Sequence, residues 1–85
     1  MPTTKADIVR WFLHGTQNGY SHMFVVCDTY DYTDAPNYFQ GSPEEAREYY
    51  RAIHGVNMQK VMEVYNLRDP LSEQIDLYRC FNYGG

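Results

Sequence analysis

An unbroken apolar run, Met23-Phe24-Val25-Val26-Cys27, constrains this chain more than any other feature. It opens the block His22 to Asp34, HMFVVCDTYDYTD, in which strand formers give way at once to a cluster of acids. The run is rich in β-branched residues, long enough for a strand and too short for an independent helix. Alternation puts Met23, Val25, Cys27 and Thr29 on one face and His22, Phe24, Val26, Asp28 and Tyr30 on the other. Both faces are apolar in the middle, so the strand belongs at the centre of a sheet covered on both sides. His22 and Asp28 mark where one cover stops.

The rest of the chain arranges itself around that strand. Thr4 and Asp7 form a capping pair for a first helix over Thr4 to Asn18, with Ile8, Trp11, Phe12 and Gly15 at helical spacing and Val9 and Leu13 widening the stripe. Asn18-Gly19 ends it. Asp31, Asp34 and Ala35-Pro36 read as a polar connection into a short strand over Asn37 to Gln40, and the proline places that strand at an edge. Ser42 as N-cap, Pro43 at the first helical position and Glu45 three residues after the cap fix the start of a second helix. Its inner stripe is Ala46, Tyr49, Tyr50 and Ile53, and Gly55 stops it.

Val61 to Leu67 alternates as a third strand. With Met62 and Val64 joining Met23, Val25 and Cys27, the side chains of Glu63 and Tyr65 are expected beside His22, Asp28 and Tyr30 on the opposite face. Asp69-Pro70 then caps a final helix carrying Leu71, Ile75 and Tyr78, flanked by Leu77 and Phe81. The order α-β-β-α-β-α predicts an α+β fold, a small three-stranded antiparallel or mixed sheet with three helices packed on it.

Eighty-five residues make a single domain, 1–85, with roughly 60–65% of its surface buried on folding. A core that small favours self-association, and a homo-oligomer is expected. A net charge of -4 disfavours nucleic acid as the partner. Cys27 and Cys80 have no metal or redox spacing and read as reduced, buried thiols. Neither a basic, apolar leader nor a membrane-length apolar run is present, so the expected location is the cytoplasm, with no membrane partner.

Few residue sets carry chemistry. Cys27 and His22 face opposite ways, which argues against a cysteine nucleophile with a histidine base. Asp28, Asp31 and Asp34 lack the spacing and glycine of a calcium loop. His14, His22 and His54 lack metal-ligand spacing, so neither a metal nor a cofactor is expected. Asp28 and Glu63, on adjacent strands, could share a face as a general acid and base, the basis of a small hydrolase. Nine tyrosines are the larger signal. Tyr30, Tyr32, Tyr38 and Tyr65 read as a pocket rim or an association surface, and Tyr49, Tyr50 and Tyr78 as core.

HMFVVCDTYDY and NMQKVMEVYNL, at Asn57 to Leu67, resemble two blocks of a family of small, largely uncharacterised proteins encoded by bacteriophages and bacterial prophages. Those relatives often show HMIVVCDTFD and NMQRVMEVYDL, so this chain departs conservatively, with Phe24 in place of an aliphatic residue, Tyr30 in place of phenylalanine, Lys60 in place of arginine and Asn66 in place of an acid. The resemblance implies phage origin, residence in an infected bacterial cytoplasm and an accessory role. It carries over no catalytic residue. The functional expectation is a counter-defence protein that sequesters a nucleotide immune signal or blocks a host protein by stoichiometric binding, more in keeping with a binder than an enzyme. The alternatives are the Asp28/Glu63 hydrolase and a purely structural homo-oligomer. Expected ligand contacts are His22, Asp28, Tyr30, Tyr32, Glu63, Tyr65 and Arg68, with no catalytic residue assigned.

Overall fold

The computed structural model describes residues 3–76 and 80–84. Helix α1 spans Lys5–Gln17, with Thr4 as N-cap in a complete capping box with Asp7. Strand β1 spans His22–Asp28 and β2 Thr33–Phe39. Helix α2 spans Pro43–Ile53 behind the Ser42–Glu45 capping box, and β3 covers Gln59–Asn66. The strand order is β2-β1-β3, with both pairings antiparallel.

The central strand is covered on both sides, as its two apolar faces require. Met23, Val25, Tyr65, Leu67 and Cys80 pack with Ile8 and Phe12 under α1. Phe24, Val26, Val61 and Val64 pack with Ala46 under α2, where Tyr49, Tyr50 and Ile53 close the layer. Pro36 lies within the edge strand β2, where a missing N–H is tolerated.

Four expectations are corrected. Strand β2 begins at Thr33 rather than Asn37, because Thr33 to Ala35 continue the ladder opposite Val26 to Asp28. Val9 and Leu13 do not belong to the buried stripe of α1; they face outward, and the helix seats on Ile8, Phe12 and Gly15.

The third correction concerns β3. Val61 stands opposite Val26, but Glu63 stands opposite Val25, so Met62 is an extra residue in a β-bulge. An added residue reverses every following side chain relative to an even ladder. Val64 therefore joins Phe24 under α2, while Glu63 and Tyr65 turn to the Met23 and Val25 face under α1.

The last is the third helix. Two α-helices are present among the described residues, not three. After Pro70 the chain makes a single 3₁₀ turn, Leu71–Glu73. Leu77 and Tyr78, which the expected helix also used, lie outside the described residues. Cys80 to Gly84 runs along the outer edge of β3: the Val64 N–H donates to the Cys80 carbonyl at 2.7 Å, and the Asn82 N–H to the Val64 carbonyl at 3.0 Å. An extended chain pairs edge groups of β3 that a helix through Phe81 would leave unpaired.

Candidate functional site

The bulge and the strand directions scatter the seven expected ligand contacts. Asp28 lies on the Phe24 and Val26 face, opposite Thr33 and Gln59, whereas Glu63 lies on the Val25 face. The expected carboxylate pair is therefore not formed. His22 shares a face with Asp28, but six residue steps of extended strand separate them, roughly 20 Å.

Several of these groups are engaged in holding the fold. His22 is buried, its Nε2 2.9 Å from the Tyr83 carbonyl and its Nδ1 2.8 Å from Ser21 Oγ, so it ties the C-terminal segment to the start of β1. The Tyr65 hydroxyl donates to Glu63 Oε2 at 3.1 Å, and the Cys80 N–H donates to the same oxygen at 3.4 Å. Burial first, and the Glu63 carboxylate second, push the Tyr65 hydroxyl well above the ordinary phenol range. Arg68 is exposed beyond the end of β3, its backbone N–H donating to Asn66 Oδ1.

The histidines and cysteines outside this set are no more reactive. His54 Nδ1 accepts from the Val61 N–H at 3.1 Å and its ring stacks on Tyr50. Burial and the neighbouring Asp34 carboxylate push the Cys27 thiol up, which keeps it protonated and a poor nucleophile. Among the described residues, no group of three or more His, Cys, Asp or Glu side chains could hold a metal ion. No helix there is long and apolar enough to cross a membrane.

What remains of the expected set is Asp28, Tyr30 and Tyr32, and these stay together on the β1–β2 hairpin. The loop is held by its own side chains. Asp28 Oδ1 accepts from the Tyr30 N–H at 2.8 Å and the Asp28 carbonyl from the Tyr32 N–H at 2.7 Å. Asp31 Oδ1 accepts from both the hydroxyl and the N–H of Thr33, which hold the Asp31 carboxyl below its ordinary range and so keep it charged. The Thr29 N–H and hydroxyl both donate to the Met58 carbonyl, bracing the hairpin against the turn before β3. On this braced loop the Tyr30 and Tyr32 side chains are 79% and 75% exposed. Tyr32 has φ 57°, and Asn57 and Met58 in the bracing turn have φ 53° and 62°. Three non-glycine residues in the left-handed region at one end of the molecule mark it as strained.

Beside the hairpin, on the α2 side of the sheet, Val26 and Ala35 floor a hollow of about 230 Å³ walled by Asp28, Thr33, Asn37 and Gln59. Sequence reasoning missed Thr33, Asn37 and Gln59. Thr33 and Gln59 fall before the expected starts of β2 and β3, and Asn37, inside the expected β2, is brought to the hollow only by the register with β1. A second hollow, about 510 Å³, lies between α2 and the C-terminal segment, with Arg47, Asp69, Asn82 and Tyr83 on its walls. Its polar groups bind one another: Asp69 Oδ2 accepts from Asn66 Nδ2 and Asn82 Nδ2, and the Arg47 guanidinium lies 5.2 Å over the Tyr83 ring.

Comparison with family models, with curated proteins and with solved structures found no match to this chain.

Proposed function

We propose that this chain is a small phage-type accessory protein that blocks a host protein by stoichiometric binding, with the β1–β2 hairpin as its docking surface. The observation that carries the reading is the pair Tyr30 and Tyr32, largely exposed on a loop whose backbone is pinned by hydrogen bonds. Tyrosines on a pinned backbone supply a large amphipathic contact area, with only two side-chain torsions each left to order on binding. Such residues dominate interface energetics. Asp28 and Asp31 on the same loop, in a chain of net charge -4, favour a positively charged host surface and fast association with it. The phage resemblance supplies the setting, an infected bacterial cytoplasm.

The Asp28/Glu63 hydrolase loses its basis, because its two carboxylates stand on opposite faces. A sequestered nucleotide is the second reading. The 510 Å³ hollow favours it, being within the roughly 300–1,000 Å³ usual for small-molecule sites and having Arg47 on its wall.

The test compares the wild-type chain with Tyr30→Ala/Tyr32→Ala in host lysate, followed by calorimetry on the purified partner. The expected outcome is one partner bound at a fixed ratio by the wild type and released by the double variant, with Tm changed by no more than about 2 °C, as for exposed sites generally. Retention of the partner by the double variant would refute the docking surface. A nucleotide carried through native mass spectrometry would move the function to the second hollow.

A further inference from the structure

We infer that the hollow floored by Val26 and Ala35 is a seat for a guanidinium group, an arginine side chain that the partner inserts beside the hairpin. This rests on the docking reading above and adds to it the chemistry of the anchor.

The lining has one sign. Asp28 is its single charged residue, and Thr33, Asn37 and Gln59 surround it with a hydroxyl and two carboxamides. The register sets Asp28 between Thr33 on β2 and Gln59 on β3. Lys60 stands opposite Cys27 and so belongs to the other face. An anion placed here would meet an uncompensated carboxylate. A cation meets its counterion.

The geometry favours a planar cation over a compact one. The hydrogen bond from the Tyr30 N–H fixes the Asp28 carboxylate through Oδ1 and leaves Oδ2 open. Thr33 Oγ1 donates its proton to Asp31 and keeps lone pairs to accept with. Among the described residues the Asn37 and Gln59 carboxamides have no hydrogen-bond partner, although both side chains are half-buried. Residues with acceptor oxygens, from three strands, therefore line one space. A guanidinium carries five N–H donors in a flat fork and can address several of them together, whereas an ammonium offers three from one point. The apolar floor suits the aliphatic stem of the same side chain. At about 230 Å³ the hollow is below the range of small-molecule sites and on the scale of a single side chain.

The test is an amide chemical-shift titration of the whole chain with N-acetyl-arginine N-methylamide, and in parallel with its neutral citrulline counterpart. The expected result is saturable shifts at Asp28, Thr33, Ala35, Asn37 and Gln59 with Kd in the millimolar range, and no such shifts with citrulline. Asp28→Asn keeps an oxygen for the Tyr30 N–H and so preserves the loop; it should weaken the arginine probe by at least about ten-fold. Asn37→Leu, which replaces a carboxamide of the lining by an apolar side chain of similar size, should weaken the arginine probe independently. Unmoved amides, equal shifts with citrulline, or unchanged affinity in both variants would overturn the guanidinium seat. In that case loss of the partner on Tyr30→Ala/Tyr32→Ala leaves the docking surface standing; probe binding with a partner indifferent to those tyrosines removes the docking surface instead.

Discussion

The side chain of Gln74 mimics a neighbouring strand for Asn66: its Oε1 accepts from the Asn66 N–H at 2.7 Å, and its Nε2 donates to the Asn66 carbonyl at 2.8 Å. The same Nε2 reaches the Asp69 and Pro70 carbonyls at 3.2 and 3.3 Å, all from a residue 1% exposed. Gln74→Ala leaves the Asn66 N–H and carbonyl buried without partners, at about 1–3 kcal/mol for each stranded group. The expected loss is about 3 kcal/mol, a fall in Tm of more than about 10 °C for a domain of this size. A calorimetric Tm within about 3 °C of wild type would show that the glutamine is dispensable.

Gln74 also explains what could be read from the sequence and what could not. Thr4 with Asp7 and Ser42 with Glu45 are local signals, complete within four residues, and both helices start where those residues require. The run from Met23 to Cys27 is apolar on both faces, and that too is local. The bulge at Met62 is different, because it exists only in the pairing of β3 with β1, and either face of Val61 to Tyr65 could have been buried. Leu71, Ile75 and Tyr78 at helical spacing predict a third helix. Gln74 carries no hydrophobic signal, yet its side chain bonds backbone groups that a longer helix or water would otherwise satisfy. The candidate site divides the same way: of Tyr30, Tyr32, Tyr38 and Tyr65, which the sequence offers together as a rim or association surface, only Tyr30 and Tyr32 are exposed at the hairpin, and Asn37 and Gln59 acquire meaning only from the register.

Stability should decline in alkali. Burial, then the Glu63 carboxylate, raise the Tyr65 hydroxyl, and burial above all raises the Cys80 thiol from 9.0 to about 11. In the folded chain both groups keep protons that the unfolded chain has released, so their contribution is complete below about pH 9 and is lost as pH rises. For Cys80 this is on the order of 2 kcal/mol between pH 9 and 11. Urea denaturation across that range should show a falling midpoint, and Cys80→Ala a shallower fall. A flat profile, or an unchanged slope in the variant, contradicts the assignment.

Gly15 lets α1 pack closely on the Tyr38 and Leu67 side chains. A Cβ there would lie 2.7 Å from Tyr38 Cε1 and 2.8 Å from Leu67 Cδ1. Alanine is favoured over glycine inside a helix by up to about 1 kcal/mol. Overpacking costs about 1–3 kcal/mol and should win. Gly15→Ala is expected to lower Tm, while Leu13→Ala, at an exposed position of the same helix, should leave it nearly unchanged. A higher Tm for Gly15→Ala would mean that Tyr38 and Leu67 move aside freely.

Tyr32 connects strain to the proposed function. Its φ of 57° costs a side chain with a Cβ about 1–2 kcal/mol, and the residue, 75% exposed, recovers little of that by packing. Asparagine adopts this conformation with less penalty and can still donate its backbone N–H to the Asp28 carbonyl. Tyr32→Asn should therefore raise Tm by roughly 3–6 °C. Tyr32→Gly should gain less, because glycine also frees the unfolded chain. If the tyrosine is retained for docking, Tyr32→Asn is at once more stable and unable to hold the host partner, the trade-off expected where a strained residue serves binding. A lower Tm would show that the ring supports the fold. A higher Tm with the partner still bound would show that the strain serves some end other than this interface.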